Sequence, residues 1–225
     1  MLNGMNPRGF TPQRQGIGSN PLPPAVAPAP RRRKRDRVGK QQALIQAALR
    51  LFSTQGYEAT TTRDIAASAG CAEGLIHRYF GGKAGLLPAL VEDRIGKELA
   101  DLGQGLQPAS SLEEEFVQLV AWEVERMWQS RDYLGVFIPR AIVDSSIRKV
   151  LQHAVLSVRV QAIAKRLRRH RGAAALSEEE LAVLAESVGG LGLLFGFMRP
   201  QVLGQDRLSA REKAVRMARM LVRRL

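Results

Sequence analysis

Apolar residues recur every three or four positions along almost the whole chain after residue 40. The first such stripe consists of Leu44, Ala47, Ala48, Leu51 and Phe52, which is the spacing of a half-buried helix. No segment shows the strict alternation of apolar and polar residues that marks a strand, and no internal repeat is visible. The pattern therefore predicts an all-α fold of about nine helices.

Capping signals set the helix boundaries. Gly56 ends the first helix, and Thr61 with Asp64 forms a capping box that opens a short second helix ending at Gly70. Ser177 with Glu180, and Ser209 with Glu212, open two late helices in the same way. The helices after Gly70 are predicted over about 72–80, 83–102, 111–130, 132–143, 145–170, 177–198 and 209–225.

The net charge of +13 is concentrated at the beginning of the chain. Residues 1–40 hold nine basic residues and one acidic residue, so most of the excess lies there. This favours a polyanionic partner, nucleic acid ahead of a membrane surface, although a solvated tail that keeps the protein soluble is the simpler alternative. Pro-rich residues 1–30 are predicted to be disordered, followed by a basic arm over 31–37. The arm opens with five consecutive cationic residues, Arg31, Arg32, Arg33, Lys34 and Arg35, and ends at Arg37.

Cysteine usage and hydropathy restrict the class of protein further. The single cysteine, Cys71, allows no intramolecular disulfide and fits a reducing compartment. The most apolar stretch, 188–198, is shorter than the roughly 18–20 residues that cross a bilayer, and no secretory signal is visible. We therefore expect a cytoplasmic, nucleoid-associated protein without a membrane segment.

The second and third helices, with Gly70 in the turn between them, predict a helix-turn-helix. Burial of Ile76 and Phe80 on one face of the third helix turns the opposite face outward. A basic arm before this unit and a lysine directly after it favour DNA as the binding partner. The outward set is predicted to be Glu73, Gly74, His77 and Arg78, joined by Leu75 and Tyr79.

The run LIQAALRLFSTQGYEATTTRDIAASAGCAEGLIHRYFGGKAGLL (44–87) resembles the DNA-binding domain of the tetracycline-repressor (TetR) family of bacterial transcription regulators. The resemblance is carried by AALRLF, GY, TTTRDIA, AG, the helix ending in RYF, and a lysine three residues later. It implies a helical homodimer. An N-terminal three-helix unit would enter the major groove, and the C-terminal part would form the dimer and a ligand cavity.

Carried over to these positions, the resemblance assigns roles in DNA binding. Thr62 and Arg63 would contact phosphate or a base edge. The base-facing group would be Glu73, Gly74, Leu75 and His77, and the backbone-holding group Arg78, Tyr79 and Lys83. Glu73 has an equally good interpretation as a carboxylate favoured by the helix N-terminus, beside its possible role as an acceptor for cytosine N4. Ala72, Leu75 and His77 depart from the family pattern.

Two other interpretations compete for residues in this region. Cys71, Glu73 and His77 are possible metal ligands, but zinc prefers four ligands, or three with an open position, so we expect no metal or other cofactor. Tyr57 could offer a stacking platform to nucleic acid, but its position favours a core-facing plug.

The C-terminal part would hold the effector and the dimer contact. The candidate pocket residues are Trp122, Met127, Phe137 and His153. Gly192 and Gly196, four apart, permit close helix–helix approach. The dimer interface implied by the resemblance, and allowed by the apolar periodicity, is Leu184, Val188, Leu191, Gly192, Phe195, Gly196, Val215, Ala218, Leu221 and Val222.

These features predict three parts of the chain: a tail and arm (1–37), a helix-turn-helix domain (38–83) and a ligand-binding and dimerisation domain (84–225). The expected function is a ligand-released repressor that binds a palindromic operator as a homodimer and responds to a small apolar or amphipathic effector. One alternative is a DNA-binding protein controlled by a protein partner, or acting architecturally, with no small effector. Another is an enzymatic C-terminal part, but the sequence shows no catalytic set of residues.

Overall fold

The computed structural model describes residues 30–223, with side chains from Asp36 onward. The predicted disorder of the first residues and the side chains of Arg31, Arg32, Arg33, Lys34 and Arg35 lie outside this description. Within it the chain has helices and no strand, which confirms the all-α prediction. The α-helices are α1 (Pro30–Gln55), α2 (Thr62–Ser68), α3 (Gly74–Phe80), α4 (Lys83–Gln104), α5 (Leu112–Gln129), α6 (Arg131–Val143), α7 (Ser145–Gln152), α8 (Val160–Leu167), α9 (Glu178–Gly192) and α10 (Arg207–Val222).

Two π-helical segments make some of these helices continuous. His153–Arg159 joins α7 to α8, and Leu193–Val202 extends α9. Pro200 lies in the second segment, and its missing backbone N–H accounts for an interrupted α-helical ladder there. A short 3₁₀ turn, Arg171–Ala175, precedes α9. Residues 30–223 thus contain nine continuous helices besides this turn. Residues 30–37 form the first two turns of α1, where an irregular arm is predicted.

The capping signals fix most helix ends as predicted. The hydroxyl of Thr61 accepts from the backbone N–H of Asp64 at 3.1 Å, and the Asp64 carboxylate accepts from the Thr61 N–H at 3.1 Å. Ser177 and Glu180 form a second reciprocal pair. The predicted cap at Ser209 is wrong, because α10 begins earlier and the Asp206 carboxylate accepts from the Ser209 N–H at 2.8 Å.

One hydrophobic core packs the first three helices against α4, α6 and α7. Leu44, Ile65 and Ile76 are fully buried in it, beside Leu86 of α4 and Phe137 of α6. This core therefore continues past residue 83, the predicted domain boundary. The helix-turn-helix unit rests directly on the body of the protein.

A second core lies among α5, α8, α9 and α10. Glycines of α9 and its π-helical extension let these helices approach closely. A Cβ at Gly196 would lie 2.8 Å from Cβ of Met127, and a Cβ at Gly192 would lie 3.1 Å from Cβ of Glu123, both on α5. The prediction that Gly192 and Gly196 permit close helix packing agrees with this geometry, but the neighbouring helix is α5 of the same chain.

Most residues of the predicted dimer interface have no free surface in the single chain. Eight of its ten members are buried inside the single chain, because periodicity identifies an apolar face without identifying what covers it. Val215 is half-buried, and Leu221 alone among them is exposed. The eight buried residues are Leu184, Val188, Leu191, Gly192, Phe195, Gly196, Ala218 and Val222.

The helix spanning Glu178–Val202 is long and apolar enough to cross a membrane by length and composition, contrary to the sequence prediction. More than half of its most apolar window is buried inside the fold. Such a helix is typical of the core of a helical protein, and its length is only weak support for a membrane span.

Candidate nucleic-acid interface and internal cavity

The short helix α3 has one buried face and one exposed face. Ile76 is fully buried and anchors the helix on the core. Gly74, His77 and Arg78 are exposed, while Leu75 and Tyr79 are half-buried. The structure thus turns outward the face that the sequence predicts to contact bases. α3 begins at Gly74, two residues later than predicted, and no side chain caps it.

Glu73 joins the beginnings of α2 and α3. Its Oε1 accepts a 2.6 Å hydrogen bond from the hydroxyl of Thr62, and its Oε2 lies 4.0 Å from Nε of Arg63. The carboxylate therefore has an intramolecular partner that neither sequence interpretation anticipates. To accept a hydrogen bond from a cytosine, the Glu73 carboxylate would have to share or release its bond with the Thr62 hydroxyl.

The end of the predicted basic arm lies beside α3. The Arg37 guanidinium stands 5.4 Å from the centroid of the Tyr79 ring, a cation–π distance. Positive charge from α1 is thus placed next to the exposed face of α3, where it would add sequence-independent attraction to phosphate.

Lys83 has a structural role that the sequence analysis does not anticipate. Its Nζ donates to the backbone oxygens of Tyr57 at 2.8 Å, Thr60 at 2.9 Å and Glu58 at 3.3 Å. An ammonium group has three donors, and all three are used here. The assignment of Lys83 to DNA backbone contact is therefore revised, because such a contact would have to replace bonds that hold the loop before α2.

Tyr57 packs toward the core, as the sequence favours, rather than offering a stacking platform to nucleic acid. The centroid of its ring lies 5.0 Å from that of Phe52. It also lies 4.4 Å from Nζ of Lys83 and 4.6 Å from Cζ of Arg140. Burial raises the pKa of its hydroxyl above the ordinary value, so Tyr57 is neutral. Arg140 also pairs with Glu58 at 2.6 Å, which ties α6 to the loop between α1 and α2.

The metal alternative gains no support from the geometry. The Cys71 thiol is placed 3.5 Å from the backbone oxygen of Ala69, and Glu73 faces Thr62. Over residues 30–223, no three histidine, cysteine, aspartate or glutamate side chains lie close enough together to hold a metal ion.

A cavity of about 70 Å³ lies between α4, α5, α6 and the α7–π segment. Its wall is mainly apolar, with polar groups from four arginine and glutamate residues, Ser130 and Tyr133. It is lined by Val91, Arg94, Ile95, Glu98, Arg126, Met127, Ser130, Tyr133, Leu134, Leu151, Ala154, Val155 and Arg159. It has the mixed character of a small-molecule site, although it is small for one.

Of the four predicted pocket residues, Met127 alone lines this cavity. Phe137 is buried in the first core, stacked 4.3 Å from Tyr133. Trp122 packs on the second core, and His153 is exposed to solvent. These three residues do not line this cavity, because helical spacing places a residue on a face but does not show which faces enclose space.

An ion-pair network surrounds the cavity. Glu98 accepts from Nε of Arg94 at 2.8 Å and pairs with Arg126. Glu123, fully buried, accepts from Arg126 at 2.6 and 2.9 Å and from Arg159 at 2.5 Å. Burial acts to lower the pKa of Arg126, but Glu123 and Glu98 outweigh it and raise the pKa above its ordinary value.

The sequence analysis missed this network, although one signal was present. Glu123 follows Phe116 by seven residues and Leu119 by four, so a carboxylate stands on the buried stripe of α5. A charged residue in that register implies a buried partner. Its link to Arg159 joins distant segments of the chain and cannot be seen from local spacing.

A larger, open groove of about 630 Å³ lies between the beginning of α9 and the end of α10. Val183 and Leu221 line it, and they are 61% and 50% exposed. Its exposed apolar residues belong to a surface that this single chain leaves uncovered.

Residues 44–90 match the family described as bacterial regulatory proteins, tetR family. Over this segment the chain is similar to the DNA-binding part of TetR-family regulators. The match covers α2 and α3 completely, together with the last part of α1 and the beginning of α4. The similarity to the family therefore rests on the segment that builds the exposed face of α3.

Two named relatives are similar to part of this chain. The HTH-type transcriptional regulator BetI of Rhizobium meliloti is 36% identical over 81 residues, which cover 36% of this chain and 40% of BetI. The HTH-type transcriptional repressor KstR2 of Rhodococcus jostii is 30% identical over 92 residues, 39% of this chain and 45% of KstR2. The similarity thus spans less than half the length of either relative.

Similarity over the whole length appears at the level of the fold. The transcriptional regulator FadR from Bacillus subtilis, solved in complex with stearoyl-CoA, superposes with a TM-score of 0.63 at 14% identity. The superposition covers 79% of this chain and 96% of FadR. The helical body after α3 therefore shares its fold with FadR.

Proposed function

We propose that this chain is a homodimeric transcriptional repressor of the TetR family whose two α3 helices enter successive major grooves of a palindromic operator. The observation that carries the proposal is the exposed trio of Gly74, His77 and Arg78 on a helix whose opposite face is locked by Ile76. The N-terminal positive charge lies beside that face through Arg37. Two such helices about 34 Å apart match one turn of B-DNA.

Thr62 and Arg63 are proposed to contact phosphate from the beginning of α2, and Arg78 and Tyr79 from the end of α3. Gly74, Leu75 and His77 are proposed to face the bases, with Glu73 adjusting its bond to Thr62. The names of the relatives support this assignment, since BetI is called a regulator and KstR2 a repressor. A DNA-binding regulator of this kind would act in the cytoplasm.

The second copy is proposed to cover the apolar surface of α9 and α10. This surface is continuous with the open groove, and its apolar side chains face solvent in the single chain. They are Val183, Leu194, Met217, Met220 and Leu221. A two-fold contact of this surface with itself would bury these residues and fix the distance between the two α3 helices. Leu221 is the one residue that this surface shares with the interface predicted from the sequence.

Effector binding is proposed to act through α6. Tyr133 lines the internal cavity at one end of α6, and Arg140 pairs with Glu58 and covers Tyr57 near the other end. An effector with higher affinity for one position of α6 would shift the population between two spacings of the α3 helices. FadR, the fold relative, was solved with stearoyl-CoA, which supports a small molecule as effector.

Control by a protein partner is the alternative, and a compound panel separates the two. Stabilisation of the purified protein by one chemical class, together with release of DNA, supports the effector proposal. A panel without any stabilising compound would favour the partner.

The DNA contacts are tested with two variants of α3. We expect Arg78→Ala to weaken binding to operator and scrambled duplexes by similar factors, because a phosphate contact carries no sequence information, and to reduce the salt slope by about one. His77→Ala should change the ratio between the two duplexes by about 5- to 150-fold, since a base contact is worth about 1–3 kcal/mol. Lys83 is a poor probe because it holds the loop before α2.

Fluorescence anisotropy titrations at several salt concentrations measure both effects. The control is His153→Ala, an exposed histidine far along the chain, which should leave every affinity unchanged. Equal losses on both duplexes for His77→Ala and Arg78→Ala would contradict the assignment of α3.

A further inference from the structure

The internal cavity has an unbalanced charge. Arg94, Arg126 and Arg159 bring three guanidinium groups to its wall, and Glu98 brings one carboxylate. Glu123 does not line the cavity but pairs with Arg126 and Arg159. The excess positive charge belongs to Arg94, whose side chain is partly exposed, while the buried acids and arginines balance in number. A buried polar group without a hydrogen-bond partner is costly, and a bound anion would satisfy it.

Arg159 is the group that lacks a full set of partners. Its side chain is 8% exposed, and one Nη donates to Glu123. Its Nε is buried and has no hydrogen-bond partner among the described residues. Gly189 of α9 leaves the space that the second Nη occupies, because a Cβ there would collide with it. An arginine held in this way retains a donor for an anion.

The remaining wall is apolar, as the tail of an amphipathic ligand requires. Val91, Ile95, Met127, Leu151 and Val155 surround the charged end with aliphatic groups. Tyr133 adds a neutral hydroxyl, since burial raises its pKa well above the ordinary range. A volume of about 70 Å³ corresponds to the share of about two liquid water molecules. It admits a carboxylate and little more unless the helices separate.

We infer that the effector is a small amphipathic anion, a carboxylic acid with an aliphatic or aromatic tail, whose carboxylate binds Arg159. This inference rests on the proposed function in treating the cavity as the effector site. A tail longer than the cavity would push α6 away from α4. Movement of α6 would change the position of Arg140 against Tyr57 and Glu58, so ligand size itself would supply the difference between the two states.

The test compares hexanoate with hexanamide, which has the same tail and no charge, on the full-length wild-type protein. We expect hexanoate to bind at least about tenfold more tightly in calorimetry, because an anion gains charge-assisted bonds that an amide does not. Arg159→Gln should remove this preference, whereas Arg216→Gln, an exposed arginine of α10, should keep it. If Arg159→Gln does not fold, the wild-type comparison alone decides.

Equal affinity for the acid and the amide would overturn the inference, as would unchanged hexanoate binding by folded Arg159→Gln. An equal response to chloride or inorganic phosphate would also overturn it by showing an adventitious ion only. DNA binding is measured in parallel. Sequence-specific DNA binding without any carboxylate binding defeats the inference and leaves the proposed function intact. Carboxylate binding without release of DNA supports the inference and defeats the proposed sensor.

Discussion

Glu123→Ala is expected to lower the free energy of unfolding by about 3–5 kcal/mol, the usual cost of removing one member of a buried ion pair. Glu123 is fully buried and accepts from both Arg126 and Arg159. Arg126 keeps Glu98 as a partner after the substitution, but Arg159 loses the carboxylate with which it pairs. The buried guanidinium of Arg159 is then uncompensated, and this accounts for most of the expected loss.

Urea unfolding at neutral pH measures the effect. Glu125→Ala is the matched control, since Glu125 lies on the same helix and pairs with Arg207 near the surface, where both side chains are more than a third exposed. A surface pair contributes about 0–1 kcal/mol, so the control should unfold nearly as the wild type does. Similar losses for the two variants would show that Glu123 does not hold a buried network.

The double substitution of Val183→Glu and Leu221→Glu is expected to convert a dimer into single chains. Both residues are exposed in one chain and line the groove between α9 and α10. Carboxylates there would be buried against their symmetry mates on association, at a cost that an apolar contact cannot offset. Losing the link between two α3 helices should also weaken operator binding by about 10²–10⁴-fold, the usual gain from joining two binding units.

Light scattering gives the mass, and a titration with operator DNA gives the affinity. Ile142→Glu is the control, because Ile142 is 70% exposed at the end of α6, away from the proposed dimer surface. It should remain a dimer. A wild-type protein with the mass of one chain, or a double variant with the mass of two, would refute this dimer surface.

Helix boundaries were predictable because local chemistry determines them. The Thr61–Asp64 and Ser177–Glu180 capping boxes require only residues three apart, and Gly81 ends α3 with a φ of +72° that glycine adopts at little cost. α10 shows the limit of such signals. Asp206 and Ser209 both suit a cap, and the structure selects the earlier residue.

Partners distant in the chain were not predictable. The contacts of Lys83 with Tyr57 and Thr60, and of Arg159 with Glu123, join residues more than 20 positions apart, which no periodic pattern encodes. The same limit applies to the predicted interface. Val188 and Phe195 form an apolar stripe, and only the packed fold shows that helices of the same chain cover it.

Selection from a random pool of duplex DNA tests the central claim most directly, because it assumes no operator. The claim is that a dimer presents two α3 helices to two half-sites. The account predicts a recovered site with two-fold symmetry and half-sites spaced by about one helical turn, bound at least about 10³-fold more tightly than a scrambled duplex at the same salt concentration. Recovery of no common sequence, or of a single unrepeated half-site bound by one chain, would contradict it.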